Sequence, residues 1–582
     1  MTNQEIAQIL YNISEFLAMK DIPFKPRAFE KAAASIESLE GDVADIYKKG
    51  GIKALQQIES IGKGIAERIE ELLKTGKIKD YERLKKEVPV KLEELSHVEG
   101  IGPKTIFKLY KEIGVKNLRD LEKATKAGKI RDIEGFGPKS EENILIAIEF
   151  LKKSGGRFPL GYILYGVRKI EKRIQELRGV KKALLAGSIR RMKETIGDAD
   201  LLATVSSPKT AKEVMDYFVQ MPEVEHIYSR GTTRSSVRLK SNIDCDLRVV
   251  PEKSFGAALQ YFTGNKDHNI ELRKIAISRG YKLNEYGIFQ IKSQKSKVKS
   301  LAETEEQIYK KLGLQYIEPE LRENTGEIEF ARQNKLPNLI GYNDLKGDLQ
   351  MHSKYSDGVN TIEQMAEKAR EMGLEYIAIT DHVRGTFGNN NLDEKKAIKQ
   401  WKEIDKINKK LQATSYKLKI LKGAEVDILN DGRLFAKNDF LKKFDIVGAS
   451  IHQNFKMPKQ KMTERIIRAM RNPNVDILFH PTGRLLGLRP AYEIDIEKII
   501  KVARETKTIL EINSYFNRLD LKDEYIRMAK ENGVKIAINS DSHSISHFQY
   551  LELGIAQARR GWLEKKDVIN AWPLDKLLKM LK

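Results

Sequence analysis

The stretch that organises this chain is GSIRRMKETIGDADLL, residues 187–202. Asp198 and Asp200 are separated by one residue, so on a β-strand their side chains point to the same face. Two carboxylates on one face repel each other unless a cation lies between them, and hard oxygen ligands suit Mg²⁺. Gly187 and Ser188 offer backbone N–H groups and a hydroxyl to a phosphate, with a basic turn directly after them. The stretch therefore predicts a site for metal and phosphate, as phosphoryl transfer requires.

A solvated strand end with two unrelated acids is the alternative, but the Gly-Ser turn upstream favours the metal site. A second acidic strand, IDCDLRVV at residues 243–250, places Asp244 and Asp246 on one face as well. One of these two can complete a three-carboxylate site with Asp198 and Asp200. Two-metal phosphoryl transfer needs such a set, because one ion lowers the pKa of the attacking hydroxyl and the other holds the triphosphate and the leaving oxygen.

Length and composition limit the possible function classes. The chain has 582 residues, which predicts three or four domains, each with its own core. The formal net charge of +22 is spread along the chain and favours a polyanionic partner such as nucleic acid; a Lys-rich proteome is the alternative. Cys245 is the single cysteine, so we expect no disulfide framework, no cysteine zinc cluster and a reducing cytoplasm. The sequence shows neither a signal-peptide layout nor an apolar run of membrane-spanning length.

Three short segments near the N-terminus repeat a pattern of hydrophobic, Glu, small, hydrophobic and Gly. They are IESIGKG at 58–64, VEGIGPK at 98–104 and IEGFGPK at 133–139, each followed by helical periodicity. A glycine turn at a helix N-terminus brings backbone N–H groups close to a phosphate and reads no bases. The pattern resembles the helix-hairpin-helix of DNA repair proteins and predicts sequence-independent DNA binding; a plain packing hairpin is the alternative. The candidate DNA-binding glycines are Gly62, Gly64, Gly100, Gly102, Gly135 and Gly137.

In the carboxy-terminal half, apolar strand candidates alternate with amphipathic helices. The strand candidates are residues 376–380, 419–426, 446–450, 475–479, 509–512 and 534–538. The alternation predicts a parallel β/α architecture such as a closed barrel, in which active sites form where the strands end.

Histidines and acids collect at these predicted strand ends, and five of the nine histidines of the chain fall at one rim. Histidines scattered over the surface by chance would not do this. Imidazole and carboxylate together suit Zn²⁺, Mn²⁺ or Fe²⁺, and a bridging hydroxide on such a cluster attacks phosphodiesters. The candidate metal ligands are His352, Asp357, His382, Glu425, His452, His480, Asp541 and His543.

GSIRRMKETIGDAD, together with CDLR at 245–248 and YFTG at 261–264, resembles the motifs of family X DNA polymerases, the nucleotidyltransferases related to polymerase beta. The motifs occur in family order, and the resemblance covers roughly residues 1–318. It implies that Asp198, Asp200 and Asp246 hold two Mg²⁺ as the catalytic set. Asp246 is preferred over Asp244 because the third Asp of the family precedes x-Arg.

The same resemblance implies a nucleotide pocket and a DNA contact. The residues implied to contact the incoming triphosphate are Gly187, Ser188, Arg191 and Gly197. Those implied to line the sugar pocket or lie near the nascent base pair are Tyr261, Phe262, Gly264, Asn269 and Arg273. Lys25 matches the region of a 5′-phosphate contact. Some relatives excise 5′-deoxyribose phosphate with a lysine, but the matching residue here is Arg68, whose guanidinium is a poor imine-forming nucleophile.

The carboxy-terminal half resembles the PHP (polymerase and histidinol phosphatase) family, which acts as a 3′–5′ exonuclease on many bacterial and archaeal family X polymerases. The family has nine metal ligands, and the eight candidates above match all but one. The first His of its His-x-His is Gln350 here. An amide oxygen is a weak neutral ligand, so we expect one metal site to bind loosely and the nuclease to be slow, dependent on Mn²⁺, or lost. Arg484 is either a phosphate contact or a surface arginine.

We therefore predict a multidomain chain with a helix-hairpin-helix region, an α/β nucleotidyltransferase-type polymerase core and a PHP β/α barrel. The predicted parts are 1–90 (gap-binding), 91–155 (helix-hairpin-helix), 156–318 (palm and nascent-base-pair subdomain), 319–345 (linker) and 346–582 (PHP). The predicted function is a cytoplasmic, monomeric DNA polymerase that fills short gaps in base excision repair, with gapped or primer-template DNA and dNTPs as partners.

The expected cofactors are Mg²⁺ at the polymerase site, Mn²⁺ or Zn²⁺ at the PHP site, and a monovalent cation at the hairpin turns. Two alternatives remain. The chain is chiefly a metal-dependent 3′-end nuclease or phosphoesterase whose polymerase half delivers DNA, or it is a non-catalytic scaffold for DNA ends.

Overall fold

The structure, a computed structural model, describes residues 3–37, 39, 42–95, 98, 101–137, 140, 141, 144, 145, 148, 157–291, 300–383, 391–413 and 418–581. Within these ranges, every helix is too short or too polar to cross a bilayer.

The amino-terminal part is helical, because apolar residues recur at the helical period and meet in one core. The described helices are Asn3–Met19, Lys25–Glu37, Val43–Leu55, Lys63–Thr75, Lys79–Glu87, Leu92–Leu95, Pro103–Ile113 and Leu118–Lys126. This core includes Val88, Val90 and Leu92, so packing is continuous across the boundary predicted at residue 90. The two predicted helical regions therefore share one core.

The three repeated segments fold alike. Each turn is closed by the same backbone hydrogen bond, from the fourth residue to the first: Ile61 to Ile58 (3.1 Å), Ile101 to Val98 (3.1 Å) and Phe136 to Ile133 (2.9 Å). Gly62 and Gly102 are the N-caps of the helices that follow, and the carbonyl of Gly137 accepts from the N–H groups of Ser140 and Glu141. The repeated pattern thus encodes a repeated glycine turn at a helix start.

The palm follows, and its sheet brings the two acidic strands together. Its strands are β1 Phe158–Pro159, β2 Val180–Leu185, β3 Thr195–Ile196, β4 Asp198–Val205, β5 Val224–Arg230, β6 Arg234–Leu239 and β7 Asp244–Val249. Its helices are Leu160–Gln175, Gly187–Arg190 and Pro208–Val219. Five strands form a sheet of order β2-β4-β7-β6-β5, in which β4 and β7 are parallel and the other pairs antiparallel.

The segment that follows the palm sheet, residues 252–332, packs around a small core of its own. It contains the 3₁₀ helices Glu252–Ser254 and Pro319–Leu321, the helices Phe255–Thr263, Lys266–Ser278, Glu305–Lys311 and Glu327–Arg332, and the hairpin of β8 Tyr281–Asn284 and β9 Gly287–Gln290. The predicted linker 319–345 contributes to this core: Arg322 is fully buried and donates to Glu305 (2.6 Å). A buried charged pair produces no apolar periodicity, so the sequence pattern does not show this packing.

The carboxy-terminal half is a nearly closed barrel of parallel strands, as predicted. The strands are β10 Gly347–Met351, β11 Tyr376–Ile379, β12 His382–Val383, β13 Lys419–Asp427, β14 Ile446–Ser450, β15 Ile477–Leu478, β16 Ile509–Asn513 and β17 Ile536–Asn539. Seven of them follow the order β10-β11-β13-β14-β15-β16-β17, and a bridge between Met351 and Ser542 joins the last strand region to the first. Strand β10 is missing from the predicted set because it buries polar residues, including Asp348, which accepts from Ser540.

Helices of the barrel domain cover the sheet and connect it to the rest of the molecule. They are Ile362–Glu371, Glu394–Gln412, Asn438–Leu441, Lys459–Met470, Ile496–Thr506, Asp523–Glu531, Leu551–Arg560 and Leu574–Leu578, with 3₁₀ turns Ile545–Tyr550, Lys565–Asp567 and Ile569–Ala571. Leu519 and Leu553 join the apolar core of the palm. Arg168 of the palm makes two hydrogen bonds to Glu552 (2.7 and 2.5 Å). The barrel is therefore packed onto the palm through a shared core.

Candidate functional site

The palm carboxylates are positioned by strand register. Strands β4 and β7 pair in parallel so that Asp198 lies beside Asp244 and Asp200 beside Asp246. Residues in register on neighbouring strands point to the same face, so the alternation along each strand places all four acids on one side of the sheet. The structure thus brings together the two halves of the predicted three-carboxylate site.

These acids affect one another electrostatically. Burial, with the nearby carboxylates of Asp198 and Asp246, raises the pKa of Asp200 to about 6. Such a group favours a cation that relieves the repulsion. The oxygen donors suit Mg²⁺, so the residues present fit the metal expected from the sequence.

Asp246 and Asp244 differ in their partners. The side chain of Asp244 is clamped by Arg238 through two hydrogen bonds (2.5 and 3.0 Å). Asp246 accepts from Arg234 (2.8 Å) and more weakly from Arg248 (3.4 Å), both through one oxygen. The second oxygen of Asp246 receives neither bond, which supports Asp246 over Asp244 as the third carboxylate.

A cleft of about 690 Å³ opens beside these acids. Ten of the residues predicted for this site line it: Gly187, Ser188, Arg191, Asp198, Asp200, Tyr261, Phe262, Gly264, Asn269 and Arg273. Two candidates do not line the cleft. Asp246 lies beside Asp200 on the neighbouring strand, and Gly197 directly precedes β4, close to Arg157. Lys522 and Asp523 of the barrel domain also line it, which the sequence does not indicate.

The Gly-Ser turn requires its glycine. Gly187 has a φ of +62°, and a Cβ there would lie 2.8 Å from Asp200 Oδ2. Any side chain would therefore strain the backbone and crowd the metal site. Arg191 donates through Nε to Glu323 (2.9 Å) and through Nη1 to the carbonyl of Thr263, which holds its guanidinium in the cleft wall.

The aromatic pair lies at the end of the helix Phe255–Thr263, as predicted. The rings of Tyr261 and Phe262 meet edge to face with centroids 5.2 Å apart. Asn269 donates to the carbonyl of Tyr261 (2.7 Å), and Arg273 donates to the carbonyl of Asn269 (3.3 Å). The proposed sugar pocket and the proposed base-pair contacts are thus one hydrogen-bonded unit.

The proposed DNA contacts lie on the surface of the helical part. A Cβ added at Gly62, Gly102 or Gly137 would meet no described atom within 4 Å, so the turns are open to a phosphate. Lys25, Gly64 and Gly135 are also exposed, and Gly100 lies outside the described residues. Arg68 donates to the carbonyl of Gly64 (2.7 Å) and pairs with Asp80, which makes it a structural residue of the first hairpin.

All eight barrel candidates converge at the carboxyl ends of the strands. His352 follows β10, His382 follows β11, and Glu425 lies in β13. His452 and His480 follow β14 and β15. Asp357 lies in the loop after β10, and Asp541 and His543 follow β17. Residues separated by up to 191 positions in the sequence therefore face one centre.

Glu425 is the hub of this cluster. It is 1% exposed, and its oxygens lie 2.9–3.3 Å from ring nitrogens of four histidines: His352, His382, His452 and His480. Asp541 lies 3.2 Å from His352, and Asp357 lies 3.2 Å from His382 and 3.5 Å from His543. Seven of the eight candidates, all except His480, form three overlapping groups of described residues in which the ligand atoms lie within 4.8 Å of one another.

The donor set fits divalent metals. The buried Nδ1 atom of His480 makes no hydrogen bond to any described residue, which is costly unless a ligand pairs with it. Burial alone would lower the pKa of His452, but Glu425 and Asp427 raise it to about 9. Asp357 is 43% exposed whereas Glu425 is buried, so the cluster has a solvent-facing side and a closed floor.

Gln350 occupies the position of the missing histidine and is fully buried. With its amide nitrogen turned toward Glu511, it donates to Oε2 of that residue (3.0 Å). Asn513 joins Glu511 and Asp541 through its own amide, which donates to both (3.2 and 3.0 Å). Burial and the charge of Asp541 raise the pKa of Glu511 well above its usual value. Gln350 therefore serves Glu511 as a hydrogen-bond donor on the floor of the site.

Residues that orient the ligands were not predicted from the sequence. Asp427 contacts His452 Nδ1 (2.7 Å) and leaves Nε2 facing Glu425. The spacing Glu425-x-Asp427 on one strand face is the signal that would have found it. Arg518 lies at the rim, 3.6 Å from Asp541, with no motif to indicate it.

Arg484 is neither a phosphate contact nor a surface arginine. Its side chain is buried against the loop after β16, where it donates to the carbonyls of Arg518 (3.1 Å) and Leu519. It also donates to Glu194 of the palm (2.8 Å). The half-buried acid of another domain explains the position of Arg484, and no local sequence pattern encodes such a pair.

Comparisons with known proteins agree with this architecture. Four family models match: a helix-hairpin-helix domain at residues 1–78, a SAM-like helix-hairpin-helix tandem at 92–149, the DNA polymerase beta thumb at 258–323 and the PHP domain at 348–515. A probable phosphatase of Acetivibrio thermocellus is 32% identical over 192 residues, 32% of this chain and 73% of that protein. The structure of a ternary P/T complex of Leishmania infantum polymerase beta aligns with 40% of this chain and 97% of the polymerase beta chain, at 22% identity and a TM-score of 0.27.

A full-length relative is decisive. The DNA polymerase/3′-5′ exonuclease PolX of Bacillus subtilis is 39% identical over 585 residues, which cover 100% of both chains. This match spans the helical part, the palm, the thumb and the barrel together. The chain therefore belongs to the PolX family, the family X DNA polymerases that carry a carboxy-terminal PHP domain.

Proposed function

We propose that this enzyme fills short gaps during DNA repair by templated nucleotidyl transfer in the palm and trims 3′ ends in the barrel. The observation that carries the polymerase assignment is the parallel register of β4 and β7, which places Asp246 beside Asp200 at the edge of the cleft. A scaffold that only bound DNA ends would not need three acids on one face next to a cleft lined by arginines.

The residues around the cleft would have separate roles in nucleotidyl transfer. Asp198, Asp200 and Asp246 would hold Mg²⁺, which lowers the pKa of the primer 3′-hydroxyl and offsets charge on the triphosphate when bound. Asp246, with one oxygen held by Arg234, is placed to accept the proton of that hydroxyl. Ser188 and Arg191 bind the triphosphate, and Tyr261 and Phe262 enclose the sugar and disfavour ribonucleotides.

The helical hairpins would deliver the DNA. Their open glycine turns at helix starts suit phosphate oxygens, and each contact is independent of base sequence. A monovalent cation at the turns and a 5′-phosphate near Lys25 complete this part of the proposal. Arg68 is engaged with Asp80 and remains a guanidinium, so we propose no lyase step at that residue.

The barrel would shorten 3′ ends with metals held by its eight ligands, and we propose Mn²⁺ or Zn²⁺. Bound ions supply Lewis-acid polarisation and a hydroxide nucleophile. Asp427 fixes the ring of His452, and Arg518 at the rim is positioned to hold a phosphate. Because Gln350 is turned toward Glu511, we propose a weakened site and a slow exonuclease. We further propose that the enzyme acts as a monomer in the cytoplasm.

The test is extension and degradation of one gapped, labelled DNA with Mg²⁺ or Mn²⁺. We expect Asp198→Ala and Asp200→Ala to abolish extension while 3′ degradation persists. Asp216→Ala is the matched control, because Asp216 lies in the palm but pairs only with Arg230 among the described residues. Unchanged extension in both variants would overturn the polymerase assignment, and wild-type protein that degrades without extending would support the nuclease alternative.

A further inference from the structure

The nucleotide cleft is not built from the palm and thumb alone. Lys522 and Asp523, which begin the helix Asp523–Glu531 of the barrel domain, line it together with Ser188 and Arg191. The largest electrostatic neighbours of this pair are Glu524 for Lys522 and Arg560 for Asp523, both in the barrel domain, and palm residues follow them: Glu194 acts on Lys522, and Lys193 acts on Asp523. Lys193 and Glu194 line the cleft together with Ser188, so the barrel residues face the side of the cleft that holds the Gly-Ser turn.

The chain that carries Lys522 is fixed against the palm. Phe516, in the same loop, lies so close to Gly161 that a Cβ there would come within 2.4 Å of the Cβ of Phe516. Tyr162 packs edge to face on Phe516 with centroids 4.5 Å apart, and Arg484 ties the carbonyl of Leu519 to Glu194. Lys522 thus approaches the cleft on a loop held by both domains.

A buried ionic chain connects the barrel to Arg191. Arg560, at the end of the helix Leu551–Arg560, pairs with Asp523 and with Glu323 (3.2 Å). Glu323 also accepts from Arg191 (2.9 Å) and lies 3.2 Å from Lys193. Burial alone would raise the pKa of Glu323, but these cations lower it to about 2. The positive charges of Arg191 and Lys193 are therefore already shared with a buried acid.

Lys522 differs from those cations. Its partner is Glu524, two residues along the same exposed helix start, at 2.9 Å and with 53% of its side chain exposed. Surface pairs of this kind are weak and exchange readily with other anions. Lys522 can therefore turn its ammonium to a phosphate without leaving a buried charge unpaired.

We propose that the barrel domain completes the nucleotide site of the polymerase: Lys522 contacts the terminal phosphates of the incoming dNTP. The proposal rests on the proposed function of the palm and adds a nucleotide-binding residue from the domain that carries the opposing activity. It explains why the barrel is packed against the palm rather than connected as a mobile tail.

The experiment measures dNTP affinity with the full-length protein on gapped DNA. Equilibrium binding uses a dideoxy-terminated primer, and single-nucleotide incorporation on an extendable primer separates KM from kcat. We expect Lys522→Ala to raise Kd and KM about tenfold with kcat nearly unchanged, because one charge-assisted contact is lost. Lys522→Arg should stay within about threefold of the wild type, since it keeps the charge.

Two control variants separate nucleotide contact from structure. Glu524→Gln removes the same ion pair from its other end and should leave Kd equal to or below the wild-type value. Lys498→Ala removes an exposed lysine elsewhere on the barrel and should have no effect. Barrel exonuclease should be unchanged in all of these variants.

Different failures have different meanings. A wild-type Kd and KM in Lys522→Ala would overturn this inference alone. An equal rise in Kd in Lys522→Ala and Glu524→Gln would show a structural role of the pair and would also overturn it. Wild-type protein that neither binds nor incorporates a dNTP would overturn the proposed function and this inference together.

Discussion

The palm site and the barrel site both bring acids together at a candidate metal site. They differ in how far apart in the sequence the candidate ligands lie. The palm uses two neighbouring strands whose register fixes the geometry, and Asp246 and Asp244 each have their own arginine partner. The barrel joins its ligands from separate strand ends through one shared carboxylate, Glu425. A local sequence motif is therefore enough to predict which acids form the palm site. The barrel site also depends on residues that orient and support its ligands, and these residues are not part of a local motif.

The sharpest test of the palm side is the pair Asp246 and Asp244. We expect Asp246→Asn to slow primer extension by about 10²–10⁴-fold, the range for a positioned proton acceptor. Asp244→Asn should change the rate only slightly, because Asp244 is occupied by Arg238. Steady-state incorporation on gapped DNA measures both, and equal losses in the two variants would contradict the assignment of the third carboxylate.

The corresponding test in the barrel is Glu425→Ala. Removing an outer partner of a metal ligand costs about 10–100-fold in affinity, so removing the carboxylate that joins four histidines should exceed that and abolish 3′ degradation. Metal content per chain and exonuclease rate are the measurements, and extension in the palm is the internal control. Retention of full metal content would show that Glu425 is not the hub.

A smaller effect is expected at Asp427. Asp427→Asn should weaken metal binding by about 10–100-fold, because the ring of His452 loses the acceptor that fixes its orientation. Titration of metal-free protein with Mn²⁺ measures this. Asp431→Asn, at an exposed turn of the same region, is the control and should bind like the wild type. Wild-type Mn²⁺ affinity in Asp427→Asn would show that Asp427 does not position His452 for metal binding.

The glutamine at position 350, where the family has a ligand histidine, predicts that restoring histidine increases exonuclease activity. Gln350→His supplies the missing nitrogen ligand on the floor of the site, and we expect about tenfold faster 3′ degradation with Mn²⁺, the lower end of the 10–100-fold range for residues that support a metal site. Bound metal per chain should rise in parallel. If neither quantity changes, Gln350 is not what weakens the site.

The smallest predicted effect concerns pH at the palm. Asp200 has a raised pKa of about 6, so it binds a proton in place of a cation below that pH. From pH 7 to pH 5.5, the Mg²⁺ concentration for half-maximal extension should rise by about fourfold, as the deprotonated fraction falls. An Mg²⁺ requirement that stays constant over this range would show that a bound partner lowers this pKa in the working enzyme.

The repeats and motifs predicted much of the fold. The three glycine segments share the same closing backbone hydrogen bond, the Asp-x-Asp pairs lie on adjacent strands, and six of the seven barrel strands were predicted near their observed positions. Strand β10 was missed because Asp348 is buried by pairing with Ser540, which hides the apolar signal of a core strand. A linker was predicted at 319–345 because a buried charged pair likewise hides the packing of this segment. In the structure, Arg322 is buried there and donates to Glu305.

The sequence by itself determined the local chemistry: which acids share a strand face, which glycines begin helices, which histidines follow strands, and that Gln350 stands where a ligand is expected. Those properties depend on the period of a strand or helix, which neighbouring residues carry. Only the tertiary structure decided that Arg484 and Arg560 pair with palm and thumb acids, that Asp427 orients His452, and that Lys522 faces the nucleotide cleft. Such contacts join residues far apart in the chain, and their geometry arises from how the domains pack rather than from any repeat in the sequence.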